Sequence, residues 1–339
     1  MSAEEKYRLA MRHIYGDGVV EDNALALRLL TEAYEQGHVE AAYNLGICYH
    51  YGYGTAADLV RARELYRFSA ERDYGKGQNL MTLFCLEGLG APQNLPEARC
   101  WLEKSRASRE AEVLAYADDM EKKLGAERVR LTEAFLRKTM EDSAYLRDKP
   151  AEKAYRVEHS YRVANIGRRI ALAEGFDPQE MTIACLLHDL AYCQPMETRE
   201  ARREHGRASA HLARPFLATL GLPEKRVEDI CFGIAIHVDD RADFDGVRTA
   251  FAETVSDADN IDRFDAYRIY EGLDNAGFRD MPLAEKREHV AAALTNLARL
   301  QELRLATDTA NALWQERLAF YRSFHEKLRL QLDGSDGIL

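Results

Sequence analysis

The chain has 339 residues, 46% hydrophobic and 30% charged, with 46 Lys and Arg against 57 Asp and Glu, for a net charge of −11. That length favours two domains with developed cores. The acidic balance argues against a nucleic-acid polymer as the main partner, because binding one needs a basic stripe.

With only 8 prolines and helical periodicity almost throughout, a nearly all-α protein is expected. The start, Met1-Ser2-Ala3-Glu4-Glu5-Lys6, lacks the apolar core of a signal peptide, and no run approaches the ~18 apolar residues of a membrane span. The six cysteines are scattered without a CxxC. Several, such as Cys185 and Cys231, fall in apolar helix positions, so a cytoplasmic protein with reduced, packing cysteines is expected.

The first third repeats itself. Tyr15-Gly16-Asp17-Gly18 recurs as Tyr51-Gly52-Tyr53-Gly54 and as Glu87-Gly88-Leu89-Gly90, at offsets of 52 − 16 = 36 and 88 − 52 = 36. Ala26, Ala62 and Ala98 keep the same register, as do Leu30, Tyr66 and Leu102, and Asp22, Asp58 and Asn94. Each unit reads as a helix, a Gly-x-Gly turn, a short loop with an acid or amide, and a second helix. This pattern resembles the Sel-one-like repeat, a helix–turn–helix relative of the tetratricopeptide repeat, over about residues 5–110. Its third unit reads as degraded in the first helix, and Glu110–Lys123 as a capping helix. The resemblance implies a stacked array with a concave surface for a protein partner; a scaffold that only packs or dimerises is the alternative.

At Leu124-Gly125-Ala126-Glu127 the register is lost and a glycine follows a helix, so domains over 1–124 and 125–339 are expected. Arg128–Asp142 is amphipathic, and Lys149-Pro150 breaks it. The next helix, about Ala151–Glu174, ends at Gly175. Asp177-Pro178-Gln179-Glu180 is a helix start, with an N-cap acceptor, proline in the first turn and Glu at N3. That helix is expected to run through Ala184-Cys185-Leu186-Leu187-His188-Asp189 and stop before Pro195. Ala201–Leu220 carries His205 and His211. Pro223–His237 puts Val227, Ile230, Ile234 and His237 on one stripe. Arg248–Phe264 carries Thr254-Val255-Ser256-Asp257-Ala258-Asp259-Asn260. Two long helices close the chain, the last from Thr307 to Leu332 with Leu313, Arg317, Phe320, Phe324 and Leu328 at helical spacing.

Imidazoles and carboxylates at inward positions are costly to bury unless paired, and together they suit a divalent transition metal. His159, His188, Asp189, His205, His237 and Asp257 supply four imidazoles and two carboxylates on five successive helices. Two adjacent ions need about that many ligands if one carboxylate bridges them. In this order the residues resemble the HD-domain superfamily of metal-dependent phosphohydrolases, with signature H…HD…D on an α-helical bundle, over about residues 128–330. The resemblance rests on His159-Ser160-Tyr161-Arg162-Val163, on the doublet His188-Asp189 in its apolar run, and on Ser256-Asp257-Ala258-Asp259.

It implies His159, His188, Asp189 and Asp257 as core ligands, with Asp189 as the bridge. His205, in Glu204-His205-Gly206-Arg207-Ala208, and His237 are then the two added histidines of the two-metal form, with His211 an alternative to His205. Two divalent ions (Mn, Fe, Co, Ni or Mg) are implied, holding a phosphate oxygen and lowering the pKa of a bridging water whose hydroxide attacks in line. Catalysis falls to Asp189 and His188. Arg162, Arg207 and Arg263 lie beside ligands in sequence as donors to phosphate or as solvated arginines. Asp262 is placed to orient a ligand or meet a substrate hydroxyl. The function implied is hydrolysis of a small phosphomonoester or nucleotide. Two alternatives stand beside it: a two-iron HD-type oxygenase, and a non-catalytic metal-bound scaffold whose repeats bind a protein.

Overall fold

A computed structural model describes residues 1–335. Among them are fifteen α-helices and no strand: α1 Ala3–Tyr15, α2 Asn23–Glu35, α3 Val39–Tyr51, α4 Leu59–Ala70, α5 Gly75–Glu87, α6 Leu95–Ser105, α7 Ala111–Glu141, α8 Pro150–Glu174, α9 Pro178–Leu187, α10 Arg199–Leu217, α11 Glu224–Ile236, α12 Ala250–Asp262, α13 Ala266–Asn275, α14 Leu283–Leu300 and α15 Asp308–Asp333. The all-α reading is correct. Among the described residues no helix is long and apolar enough to cross a membrane. The chain forms two compact units, Met1–Glu127 with Leu217–Leu222, and Arg128–Phe216 with Pro223–Leu339.

In the first unit α1 to α6 form three antiparallel pairs. Asp22, Asp58 and Asn94 are the N-caps of α2, α4 and α6, accepting from the backbone N–H groups of Leu25, Arg61 and Glu97 at 2.8, 2.9 and 3.0 Å. A side-chain acceptor there satisfies a helix-end donor that has no partner within the helix. The register residues Ala26, Ala62, Ala98, Leu30, Tyr66 and Leu102 are all buried. The turn glycines serve two needs. Gly52 ends α3 at φ 78°, a backbone that costs other residues strain. A Cβ on Gly54 would meet the Asn23 carbonyl oxygen at 2.4 Å, and one on Gly90 the Leu59 oxygen at 2.4 Å, so each unit's turn rests on the start of the preceding unit's second helix. Gly221, in the Leu217–Leu222 segment of the same compact unit, rests on the Leu95 carbonyl in the same way, 2.5 Å from where its Cβ would be.

Two expectations here need correction. The third unit is not degraded: α5 is a full 13 residues. Its glycines mark close approach, since a Cβ on Gly75 would fall 2.9 Å from Val113 Cγ1 and one on Gly77 2.2 Å from Ser69 Oγ. Nor does Gly125 end a helix. α7 runs unbroken through it for 31 residues, because a helical glycine costs only about 1 kcal/mol and strong helix formers flank it. The division between units falls inside this helix, at Glu127–Arg128.

In the second unit α8 packs on α9 and α12, α11 on α12, and α14 on α15. Gly167 lets α8 approach α9, its absent Cβ lying 2.5 Å from Cys185 Sγ. A core of Ile170, Ile261, Leu297, Leu313, Trp314 and Leu318 joins α8, α12, α14 and α15. The buried stripe of α15 runs through Leu313, Trp314, Leu318 and His325, whereas Phe320 is exposed. The expected Leu313–Phe320–Leu328 face is therefore rotated, because Trp314 is drawn in by its core contacts and by its Nε1–H donating to the Leu300 carbonyl at 3.2 Å. The short α13 was not foreseen; among its ten residues only Ile269 is buried, which leaves a weak sequence signal.

Candidate metal centre

The helix expected to run through Asp189 stops two residues earlier, at Leu187. α9 ends with His188 at its C-cap, Asp189 follows at φ −103°, and a 3-10 turn spans Leu190–Cys193. The break brings two adjacent side chains to one cluster. His237 likewise caps α11, while His159 lies within α8 and His205 within α10. All four imidazoles and Asp189 are buried. Two groups of ligand atoms share Asp189: His159, His188 and Asp189, and Asp189, His205 and His237, the atoms of each within 4.8 Å of one another.

The ring orientations are fixed from behind. Nδ1 of His188, His205 and His237 lies 2.7, 2.7 and 2.6 Å from the carbonyls of Cys185, Arg202 and Ile234. A carbonyl only accepts, so each Nδ1 carries the proton. Nδ1 of His159 donates in the same way to Asp262 Oδ2 at 2.9 Å. Every Nε2 is then turned to the centre: those of His159 and His188 are 3.3 Å apart, and those of His205 and His237 3.0 Å. Lone pairs facing each other so closely need a proton or a cation between them. This backing of each histidine by an acceptor is the arrangement metal-binding imidazoles use, so the donor set fits divalent ions.

The structure does not bring Asp257 to the centre; Asp259 stands there instead. Asp259 Oδ1 is 3.2 Å from His159 Nε2 and 4.0 Å from His188 Nε2. Asp257 faces the loop before α15, accepting the Ala306 N–H at 2.8 Å, and burial pushes its carboxyl up to about 6. The reason is helical geometry. Asp262, which backs His159, is three residues from Asp259 and five from Asp257, and only the three-residue spacing shares a face. That spacing was the signal available in the sequence. Between His205 and His211 the structure also chooses: His205 Nε2 is 2.9 Å from Asp189 Oδ1, while His211 is exposed and pairs with Asp243 at 2.6 Å.

Burial alone would raise the carboxyl of Asp189, but His188, His205 and His237 hold it well below the usual range. Asp259 is likewise lowered against its burial by His159 and Arg263. Burial pulls His188 down to about 4. It would do the same to His159, but Asp259, Asp262 and Asp189 outweigh it and raise that ring to about 9.

Arginines ring the acids. Arg162 Nε donates to Asp262 at 3.0 Å and Arg263 to Asp259 at 2.5 Å. Arg207 turns away from the ligands to Asp239 at 2.8 Å. Arg156 was missed. It sits one turn before His159 on the same face, its Nη1 3.4 Å from Asp189 Oδ2 and its guanidinium 3.3 Å above the Tyr192 ring. Its Nε is buried without a hydrogen-bond partner.

The HD domain family model matches residues 156–264, and the Sel1 repeat model matches 6–38, 39–74 and 76–108. A curated relative, the "exopolysaccharide production negative regulator" of Rhizobium meliloti (strain 1021), is 30% identical over 121 residues. That match covers 31% of this chain and 45% of the relative, so the chain spans less than half of that protein. Among solved structures, a Sel1 repeat protein from Oxalobacter formigenes is 25% identical, with 34% of this chain and 88% of that one covered, at a TM-score of 0.32. A predicted HD superfamily hydrolase from an uncultured Thermotogales bacterium is 21% identical, with 60% and 91% covered, at a TM-score of 0.41. The chain carries three Sel1 repeats over residues 6–108, followed by an HD domain over residues 156–264.

Proposed function

We propose that the chain is a metal-dependent phosphohydrolase acting on a small phosphomonoester or a nucleotide. The observation that carries this reading is the convergence of four imidazole Nε2 atoms, each with its Nδ1–H tied back, on two buried acids. His159, His188, Asp189 and Asp259 would hold one divalent ion, and Asp189, His205 and His237 a second. Ions so held polarise a phosphate oxygen and acidify a water, which is the chemistry such a site supplies.

The rest falls to the side chains. Asp189, with Oδ2 toward His159 and Oδ1 toward His188, His205 and His237, ties the two halves of the centre together. Arg156, over the Tyr192 ring with a buried Nε–H that has no partner, would donate to a phosphoryl oxygen. A buried donor without a partner is costly, and an anionic acceptor relieves that cost. Asp262 holds His159 and Arg162 together from behind. The Sel1 repeats are read as the surface for a protein partner, and the chain as cytoplasmic.

The test is elemental analysis of the purified chain beside Asp189→Ala, with nucleoside monophosphates and p-nitrophenyl phosphate as substrates. About two transition-metal ions per chain, lost in the variant together with phosphate release, is the expected result. No bound metal after reconstitution with manganese or iron overturns the reading. Oxygen-dependent turnover by an iron-loaded protein that releases no phosphate would move it to the oxygenase class.

A further inference from the structure

α10 carries Arg199, Arg203 and Arg207 at spacings of four residues, which puts three like charges on one stripe, where they repel. Arg241, from the loop after α11, faces the same space. The four arginines line a cleft of about 430 Å³ whose acids are Glu200, Glu204 and Asp239. In a chain of net charge −11, so local a gathering of guanidinium groups runs against the composition.

The cleft is built around Arg207. Its guanidinium is held by Asp239 at 2.8 Å and Glu204 at 3.2 Å, and its side chain is 16% exposed. Asp239 also accepts the backbone N–H of Arg241 at 3.3 Å, and the Arg241 carbonyl lies 3.5 Å from Arg207 Nη1. Asp240 between them takes φ 61°, a left-handed conformation that a non-glycine residue adopts at a cost. The turn thus fixes Arg241 opposite the α10 stripe. The remaining charges are uncommitted: the exposed side chains of Arg199, Arg203 and Arg241 make no hydrogen bond or ion pair among the described residues. Arg207 and Asp239 each lie two residues along the chain from a centre histidine, His205 and His237.

We propose that this cleft binds a phosphate-class oxyanion, clamped by the planar donors of Arg199, Arg203 and Arg241 with Arg207 as the fixed floor. Guanidinium groups match phosphate oxygens in pairs, and several converging on one cavity select a multiply charged anion over chloride. The oxyanion has two sources of the same chemistry: the second phosphoryl group of a substrate seated at the centre, or a separate phosphorylated effector. The site itself does not rest on the hydrolase reading.

Isothermal titration of the full, EDTA-treated chain with inorganic pyrophosphate tests it, for the parent and for Arg203→Glu/Arg241→Glu. Both positions are exposed, and circular dichroism checks that the variant folds. Expected is saturable binding at about 1 mM or tighter, weakened at least tenfold in the double variant, weakened by added salt, and kept in Asp189→Ala. No binding by the parent, or equal binding by the double variant, overturns the proposal. So does binding lost in Asp189→Ala but kept in the double variant, which would place the anion at the centre. Metal-loaded protein then separates the sources. ADP held more tightly than AMP, with the preference lost in the double variant, assigns the cleft to the substrate. Pyrophosphate and AMP binding independently assigns it to an effector.

Discussion

The α-carbon of Gly206 lies so close to the Ala235 carbonyl that a Cβ on it would fall 2.7 Å from that oxygen and 3.1 Å from His237 Nδ1. This contact seats α10 on α11 and sets the 3.0 Å separation of His205 and His237. Gly206→Ala should push the helices apart, costing about 1–3 kcal/mol in stability. Elemental analysis should show the ion at His205 and His237 lost and the His159–His188 ion retained.

Asp259 and Asp257 should behave in opposite ways. Asp259→Asn should lower metal content and phosphate release. Asp257→Asn should leave both intact and raise stability at neutral pH. The sign follows from burial, which lifts the folded-state pKa of Asp257 above the ordinary carboxylate range, to about 6. The protonated group therefore favours the fold, fully below about pH 4, and that contribution is lost as pH rises through 6. Urea titrations should show the variant about 1–3 kcal/mol more stable than the parent at pH 8, with the difference gone at pH 4.

Asp262→Asn keeps the size of the side chain that backs His159 but removes its charge. Metal affinity should fall about 10–100-fold, measured by competition with a chromogenic chelator. An unchanged affinity would mean that the His159 ring is held by packing alone.

In the repeats, Glu97 binds Arg63 at 3.1 Å, Arg67 at 2.6 Å and the Trp101 Nε1–H at 3.3 Å. Its burial would raise its carboxyl, but these three donors hold it below the usual range. Its stabilising effect is thus present above the ordinary carboxylate pKa and lost as pH falls below it. Glu97→Gln leaves the buried Arg63 without its charge partner, so the thermal midpoint should drop by several degrees at pH 7, and by progressively less as the pH is taken below the ordinary carboxylate range.

What the sequence made legible was whatever repeats or pairs at fixed spacing. The 36-residue register exposed the first unit because each turn must clear the helix before it, and His159, His188, Asp189, His205 and His237 stood out on apolar faces. The resemblance implied Asp257; Asp259 lies two residues on in the same stretch, and the three-residue spacing to Asp262 that tells them apart carries weight only once Asp262 is known to back His159. Arg156 was passed over because surface arginines are common; its role depends on Tyr192, 36 residues away in the chain and adjacent in space. Gly125 misled because a glycine marks a helix end only where the backbone turns left-handed, and here it does not.

The leashes on three of the four rings are each three residues long. Cys185, Arg202 and Ile234 set the poses of His188, His205 and His237 as soon as each helix forms, before any helix meets another. Assembly of the bundle then presses already oriented lone pairs against one another. An ion entering last would relieve repulsion in four helices at once, binding as a lock on the finished fold and reporting, by its presence, that all of them have arrived.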